Sequence, residues 1–175
     1  MNYQYINFNN QKDLIADVVL RKLIIHQDET GLLFETLRRD WPDVFNNHDL
    51  NFVMQYVSIT PPNVIRDEHK WHVHKNQKDR FICIKGRIVT ALYDGRKNSK
   101  TYNKLNLLVM GPQNKNEMYV VIIPERVYHA FMVVSRDPGY LLNFPTQLYN
   151  PSDEGRIDNH ELNWSKVRAD FNLRK

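Results

Sequence analysis

Lys70-Trp71-His72-Val73-His74-Lys75-Asn76-Gln77-Lys78-Asp79-Arg80-Phe81, running on to Gly86, is the stretch that decides the fold. Residues two apart on an extended strand point to the same side, so His72 and His74 enter one space. Asp79 stands five residues after His74, at the head of an apolar run. A second apolar run ends in Pro124-Glu125-Arg126-Val127-Tyr128-His129, which brings a third imidazole. Together these segments predict the interior of a small β-barrel holding polar chemistry.

The surrounding sequence is dense in short strands. Runs at 52–59, 80–85, 87–93, 104–110, 118–123, 130–134 and 140–144 carry the β-branched and aromatic content that strands favour. Lys85-Gly86 predicts a hairpin between 80–85 and 87–93, and Arg136-Asp137-Pro138-Gly139 another between 130–134 and 140–144. Towards the N-terminus, short β-rich pieces lie between 14 and 25, a turn at 27–31 and a strand at 32–37. A short helix over 38–47 is interrupted by Pro42, and Pro61-Pro62 forces a loop. Past Pro151 the chain is polar, with helical character at 164–172. This pattern predicts an all-β class, a double-stranded β-helix or jelly roll with short peripheral helices. At 175 residues one domain is expected, its core spanning about 18–164.

A hydrophobic content of 42% with 11% aromatics describes a globular chain. The net charge of +4 comes from bases interleaved with acids, which argues against a nucleic-acid partner while suiting a phosphorylated substrate. Cys83 is the single cysteine, so no intrachain disulfide forms, and its apolar surroundings predict a buried core residue. No apolar run approaches ~18 residues, so no membrane association is expected. The N-terminus lacks a basic segment followed by an apolar one, which makes a cytoplasmic location the expectation.

His72, His74, Asp79 and Gly86, spaced His-x-His-x4-Asp-x6-Gly, resemble the first motif of the cupin superfamily, with Asp in place of its usual Glu. Pro124-x4-His129 is similar to the second motif, with Arg126 where that motif has glycine. Within the superfamily, four further blocks resemble the dTDP-4-keto-6-deoxysugar 3,5-epimerase family, from about Val18 to Trp164. They are Asp28-Glu29-Thr30-Gly31, Arg96-x-x-Ser99-x-Thr101-Tyr102, Ile123-Pro124 through His129-Ala130-Phe131, and Thr146-x-x-Tyr149-x-Pro151-x-x-Glu154. His72-Val73-His74-Lys75 also resembles the signature of the related 3,4-ketoisomerases.

The resemblance implies proton abstraction beside the ketone of a nucleotide-linked 4-keto-6-deoxysugar by a homodimer. It puts His72 at the base position, and a rival register through Arg66-Asp67-Glu68-His69 puts His69 there instead. Thr30 and His69 stand where the family has diphosphate-binding arginines, Asp79 where it has a lysine, and Asn143 where it has the tyrosine acid. An enolate-forming reaction needs a base of near-neutral pKa, a donor for the enolate oxygen and an acid on the opposite face. The expected catalytic residues are His72, His129 and Tyr149, with Tyr128 a further hydroxyl donor. The expected substrate contacts are His74, Lys75, Lys70, His69, Glu29, Asn143 and Arg80. No cofactor is expected from this resemblance. The alternative is one divalent transition metal on His72, His74, Asp79 and His129, a donor set that suits Fe, Mn, Ni or Zn. Among other residues, Trp71 is expected in the barrel wall, Asp153 and Glu154 in a solvated turn, and His26, His48 and His160 at the surface.

Overall fold

The computed structural model describes residues 3–45 and 52–173. Two sheets face one another. The larger runs in the order β1 (Gln4–Ile6), β10 (Leu105–Met110), β9 (Ile88–Tyr93), β12 (Tyr128–Val133), β7 (Lys70–His74) and β14 (Glu154–Asp158), with β6 (Ile65–Arg66) also on β12. The smaller runs β2 (Val19–Lys22), β11 (Tyr119–Ile123), β8 (Asp79–Lys85), β13 (Gly139–Asn143), β5 (Tyr56–Thr60). A separate hairpin pairs β3 (Ile25–Asp28) with β4 (Gly31–Phe34). All pairings are antiparallel except β1 on β10.

The jelly-roll expectation holds, but two local expectations do not. β8 and β9 are not a hairpin, because β8 pairs with β11 and β13 while β9 pairs with β10 and β12. Likewise β12 and β13 lie in different sheets. The turn residues are present, yet they carry the chain from one layer to the other. At Gly86, φ is +73°, and an added Cβ would meet Pro138 O at 2.6 Å. Glycine there serves the crossing between layers, where both conformation and space exclude a side chain.

The strands are apolar on both faces because both faces are covered. Inside the sandwich pack Phe81, Cys83, Ile88, Leu92, Leu108, Tyr119, Val121, Phe131, Val133 and Leu141. The outer face of the larger sheet, with Trp71, Val89, Ala91 and Met132, lies under Leu162, Trp164 and Val167. These last residues belong to or adjoin α1 (Trp164–Asp170), where Asn163 caps the N-terminus by accepting from Ser165 N. The outer face of the smaller sheet, with Ile82, Val120, Ile122 and Leu142, lies under Trp41, Val44 and Phe45. The segment 38–45 forms turns, not the expected helix, and residues 46–47 and His48 lie outside the described residues. Strand β4 stops at Phe34, short of the expected 37, and β14 occupies a region with no expected strand.

Strand periodicity then sorts the polar residues. Trp71 and Val73 point outward, so His72 and His74 point inward. On β8, Ile82 faces out and Phe81 and Cys83 face in, which puts Asp79 inside. On β13, Leu142 faces out, Leu141 faces in, and Asn143 follows it inward.

Candidate active site

Three imidazoles converge inside one end of the sandwich. The β7–β12 register sets His129 directly opposite His72. Ring centroids lie 4.7 Å apart for His72 and His74, 5.0 Å for His72 and His129, and 6.1 Å for His74 and His129. The Nε2 atoms of His72 and His74 are 3.0 Å apart. Asp79 joins them from the other sheet, its Oδ2 3.3 Å from His129 Nε2 and 3.7 Å from His74 Nε2. Phe81 packs edge-on against His129 at 5.5 Å. A cavity of about 230 Å³ opens onto His72 and His129, walled by Tyr56, Arg66, Phe131 and Arg156.

The surrounding groups fix each member. Asp79 is 2% exposed, and its Oδ1 accepts from Gln77 Nε2 at 2.9 Å and from Asn143 Nδ2 at 2.7 Å. His129 Nδ1 faces Val127 O at 3.3 Å. His74 Nδ1 faces the buried Asp153 Oδ2 at 3.4 Å. His72 Nδ1 accepts from the Arg156 guanidinium, which is itself anchored by Asp67 at 3.1 Å and Glu154 at 2.5 Å. Burial, then the neighbouring His129 and Arg156, push the His72 imidazole down to about 2, so it stands neutral with its basic nitrogen unprotonated. Burial is also the larger influence on His129 and lowers it, against the opposing pull of Asp79.

The sequence-derived candidates separate cleanly. His72, His74, His129, Asp79 and Asn143 come together. His69 is exposed in the turn before β7, outside the cluster that His72 joins. Lys70 is exposed and pairs with Asp158 across the outer strands. Lys75 is exposed and donates to Ser152 O at 3.0 Å. Glu29 is exposed in the β3–β4 turn, where Asp28 accepts from Thr30 and Gly31. Arg80 is 2% exposed but faces outward from β8, its guanidinium 4.8 Å over Phe45 and donating to Phe144 O, so within the chain it packs the outer core. Tyr149 is 71% exposed in the loop after β13 and does not line the cavity. Tyr128 faces outward onto Tyr93, one residue out of phase with His129. Asp153 corrects the solvated-turn expectation, being 4% exposed and accepting from Asn76 N. Trp71, Cys83, His26 and His160 are where expected, the first two buried and the last two exposed.

Tyr56, Gln77, Arg66, Asp67, Asp153 and Arg156 were not legible as site residues. Gln77 reaches the cluster locally, from the short loop between His74 and Asp79, and the others through strand register or chain return. Only Tyr56 left a signal, an aromatic hydroxyl inside an expected strand.

An interior imidazole–carboxylate cluster beside a cavity in a jelly roll is the arrangement of a cupin-type barrel. The sequence profile of the dTDP-4-dehydrorhamnose 3,5-epimerase family matches residues 12–169. The chain belongs to that family. It is 38% identical over 146 residues to a probable low-salt glycan biosynthesis epimerase of Haloferax volcanii, covering 82% of this chain and 87% of the relative. A dTDP sugar isomerase from Desulfovibrio desulfuricans superposes with a TM-score of 0.76 at 22% identity, covering 86% of this chain and 92% of that one. A Legionella pneumophila epimerase in complex with dTDP-4-keto-L-rhamnose superposes with a TM-score of 0.67 at 20% identity, covering 81% and 72%.

Proposed function

We propose that this chain is an epimerase of glycan biosynthesis that inverts C3, C5 or both of a dTDP-linked 4-keto-6-deoxysugar. The observation that carries this reading is the position of the His72 imidazole at the wall of the cavity, opposite His129 and within one hydrogen-bonded cluster. Loss of a proton next to a ketone is eased because the carbanion delocalises onto the carbonyl oxygen. His72 takes that proton, and the cationic Arg66 at the cavity wall stabilises the charge that develops on the oxygen. Arg156 supplies a cationic group at the cavity for the diphosphate. Engagement of the diphosphate draws Arg156 from His72 Nδ1 and exposes the lone pair that does the chemistry. A homodimer and a cytoplasmic location belong to the same reading, supported by the family resemblance. The product formed from dTDP-4-keto-6-deoxyglucose tests it: NMR shows inversion at C3 or C5, and a sugar recovered with both centres unchanged contradicts it.

A second reading, supported by one observation, is a divalent metal on His74, His129 and Asp79 with His72 beside it. His129 has Val127 O at Nδ1 and Asp79 Oδ2 at Nε2, an acceptor on each side, which calls for two protons or for one proton and a metal ion. Elemental analysis of protein purified without chelator checks this. Stoichiometric metal that disappears in His74→Ala supports it, and metal-free protein contradicts it.

A further inference from the structure

Inversion needs a second proton source, because a base that returns its own proton to the same face restores the starting configuration. That source has to stand on the wall opposite His72. The cavity has two walls of different origin. His72 and His129 belong to the larger sheet, and Tyr56 reaches the same cavity from β5 of the smaller one. Among the residues that line it, Tyr56 carries the one phenol.

The hydrogen bonding around Tyr56 is directional. On the neighbouring strand Asn143 lies directly opposite Tyr56 in register. Asn143 Oδ1 accepts from Arg80 N at 2.9 Å, and its Nδ2 donates to Asp79 Oδ1 at 2.7 Å and to Tyr56 Oη at 2.8 Å. The amide cannot be turned over without setting its oxygen against a carboxylate and its nitrogen against a backbone N–H. Tyr56 Oη is therefore the acceptor in this contact, and its own hydrogen is left to point elsewhere. Burial and the nearby Asp79 charge raise its pKa, outweighing the Asn143 contact, so the phenol stays protonated. The residue is 42% exposed, which gives it access to water for reloading.

We propose that Tyr56 is the acid of the reaction, delivering a proton to the substrate carbon from the wall opposite His72. The proposal rests on the epimerase reading above. In the first step the C–H bond next to the ketone breaks, its proton goes to His72, and its electron pair becomes the C=C of the enolate. In the second the Tyr56 O–H breaks, its proton bonds to that carbon from the other side, and the carbonyl re-forms. The tyrosinate then recovers a proton from water and the His72 imidazolium releases one, so no proton is consumed overall.

The test separates exchange from inversion. In deuterated water with dTDP-4-keto-6-deoxyglucose, Tyr56→Phe retains solvent exchange within about threefold of the unmodified protein. Its inversion rate falls at least about 100-fold, the range of general acid catalysis. Tyr149→Phe, which removes an exposed phenol outside the cavity, changes neither rate. Thermal melting confirms that Tyr56→Phe is folded. Inversion by Tyr56→Phe at the unmodified rate overturns the proposal. So does loss of exchange together with inversion in a folded variant, which would put Tyr56 at the base step. Absence of exchange in the unmodified protein overturns the functional reading instead, and this one with it.

Discussion

At the scale of single residues, Asn143 is the pivot of the site. Its amide, 0% exposed, joins a backbone N–H, the Asp79 carboxylate and the Tyr56 hydroxyl. Replacing it with leucine keeps the volume but strands the Arg80 N–H and removes a donor from a buried carboxylate. Unsatisfied buried groups cost ~1–3 kcal/mol each. Asn143→Leu is therefore expected to lose about 2–4 kcal/mol in denaturant unfolding. A loss under about 0.5 kcal/mol would show that the site tolerates the loss of one donor to Asp79. Asn143 was an apparent defect in the sequence because an amide cannot serve as an acid. In the structure its amide holds the Tyr56 hydroxyl, the acid proposed above.

At the scale of elements, what the sequence conveyed was periodicity, and what it withheld was partnership. The alternation through Trp71-His72-Val73-His74 correctly put two imidazoles on one side, and His129 follows the same rule on β12. The Lys85-Gly86 and Pro138-Gly139 turns were recognisable, but a turn signal does not say whether the chain folds back on its own strand or crosses to the other sheet. That depends on which distant strand is the better partner. The same limit hid Tyr56 and Arg156, whose places come from pairing across 87 residues to Asn143 and 84 to His72. Tyr149 was misplaced because motif order cannot show that a loop carries its hydroxyl outward. Conformation also survived a change of residue. Arg126 stands where the cupin motif has glycine, and its φ of +63° keeps the left-handed turn that sends β12 into the cluster. At Gly86 no such tolerance exists, since the new Cβ would strike Pro138 O and Ser135 Oγ. Gly86→Ala is expected to cost more than about 1 kcal/mol, read as a lowered melting temperature. An unchanged melting temperature would mean that the crossing between sheets can relax.

At the scale of the whole molecule, the family's Arg-x-x-Ser-x-Thr block turns out to fasten the fold at a distance from the imidazoles. Asp94 is fully buried and accepts from Arg96, Ser99 and Thr101, while Arg96 and Thr101 also bind the backbone of Ala16. The loop after β9 is thereby tied to the chain entering β2. Burial alone would raise the Asp94 carboxyl, but the hydrogen bonds from Arg96, Ser99 and Thr101 outweigh it and hold the group at about 2. An unfolded aspartate titrates near ~3.9. The unfolded chain thus binds the proton first, so this contribution to stability is complete above pH ~4 and is lost as pH falls through about 2. Melting curves between pH 5 and 2 should show a steeper loss for the unmodified protein than for Asp94→Asn. Parallel slopes would contradict the assignment. The latch and the two covered sheet faces enclose a polar interior, and the central claim concerns that interior: the His72 imidazole removes hydrogen from carbon beside a ketone. The most direct measurement is proton NMR of dTDP-4-keto-6-deoxyglucose with this protein in deuterated water, alongside His72→Ala. The account predicts loss of the C3 or C5 proton signal with the unmodified protein and a rate lower by ~10²–10⁴ in the variant. Both signals persisting with the unmodified protein, or exchange at equal rates in the two, would contradict it.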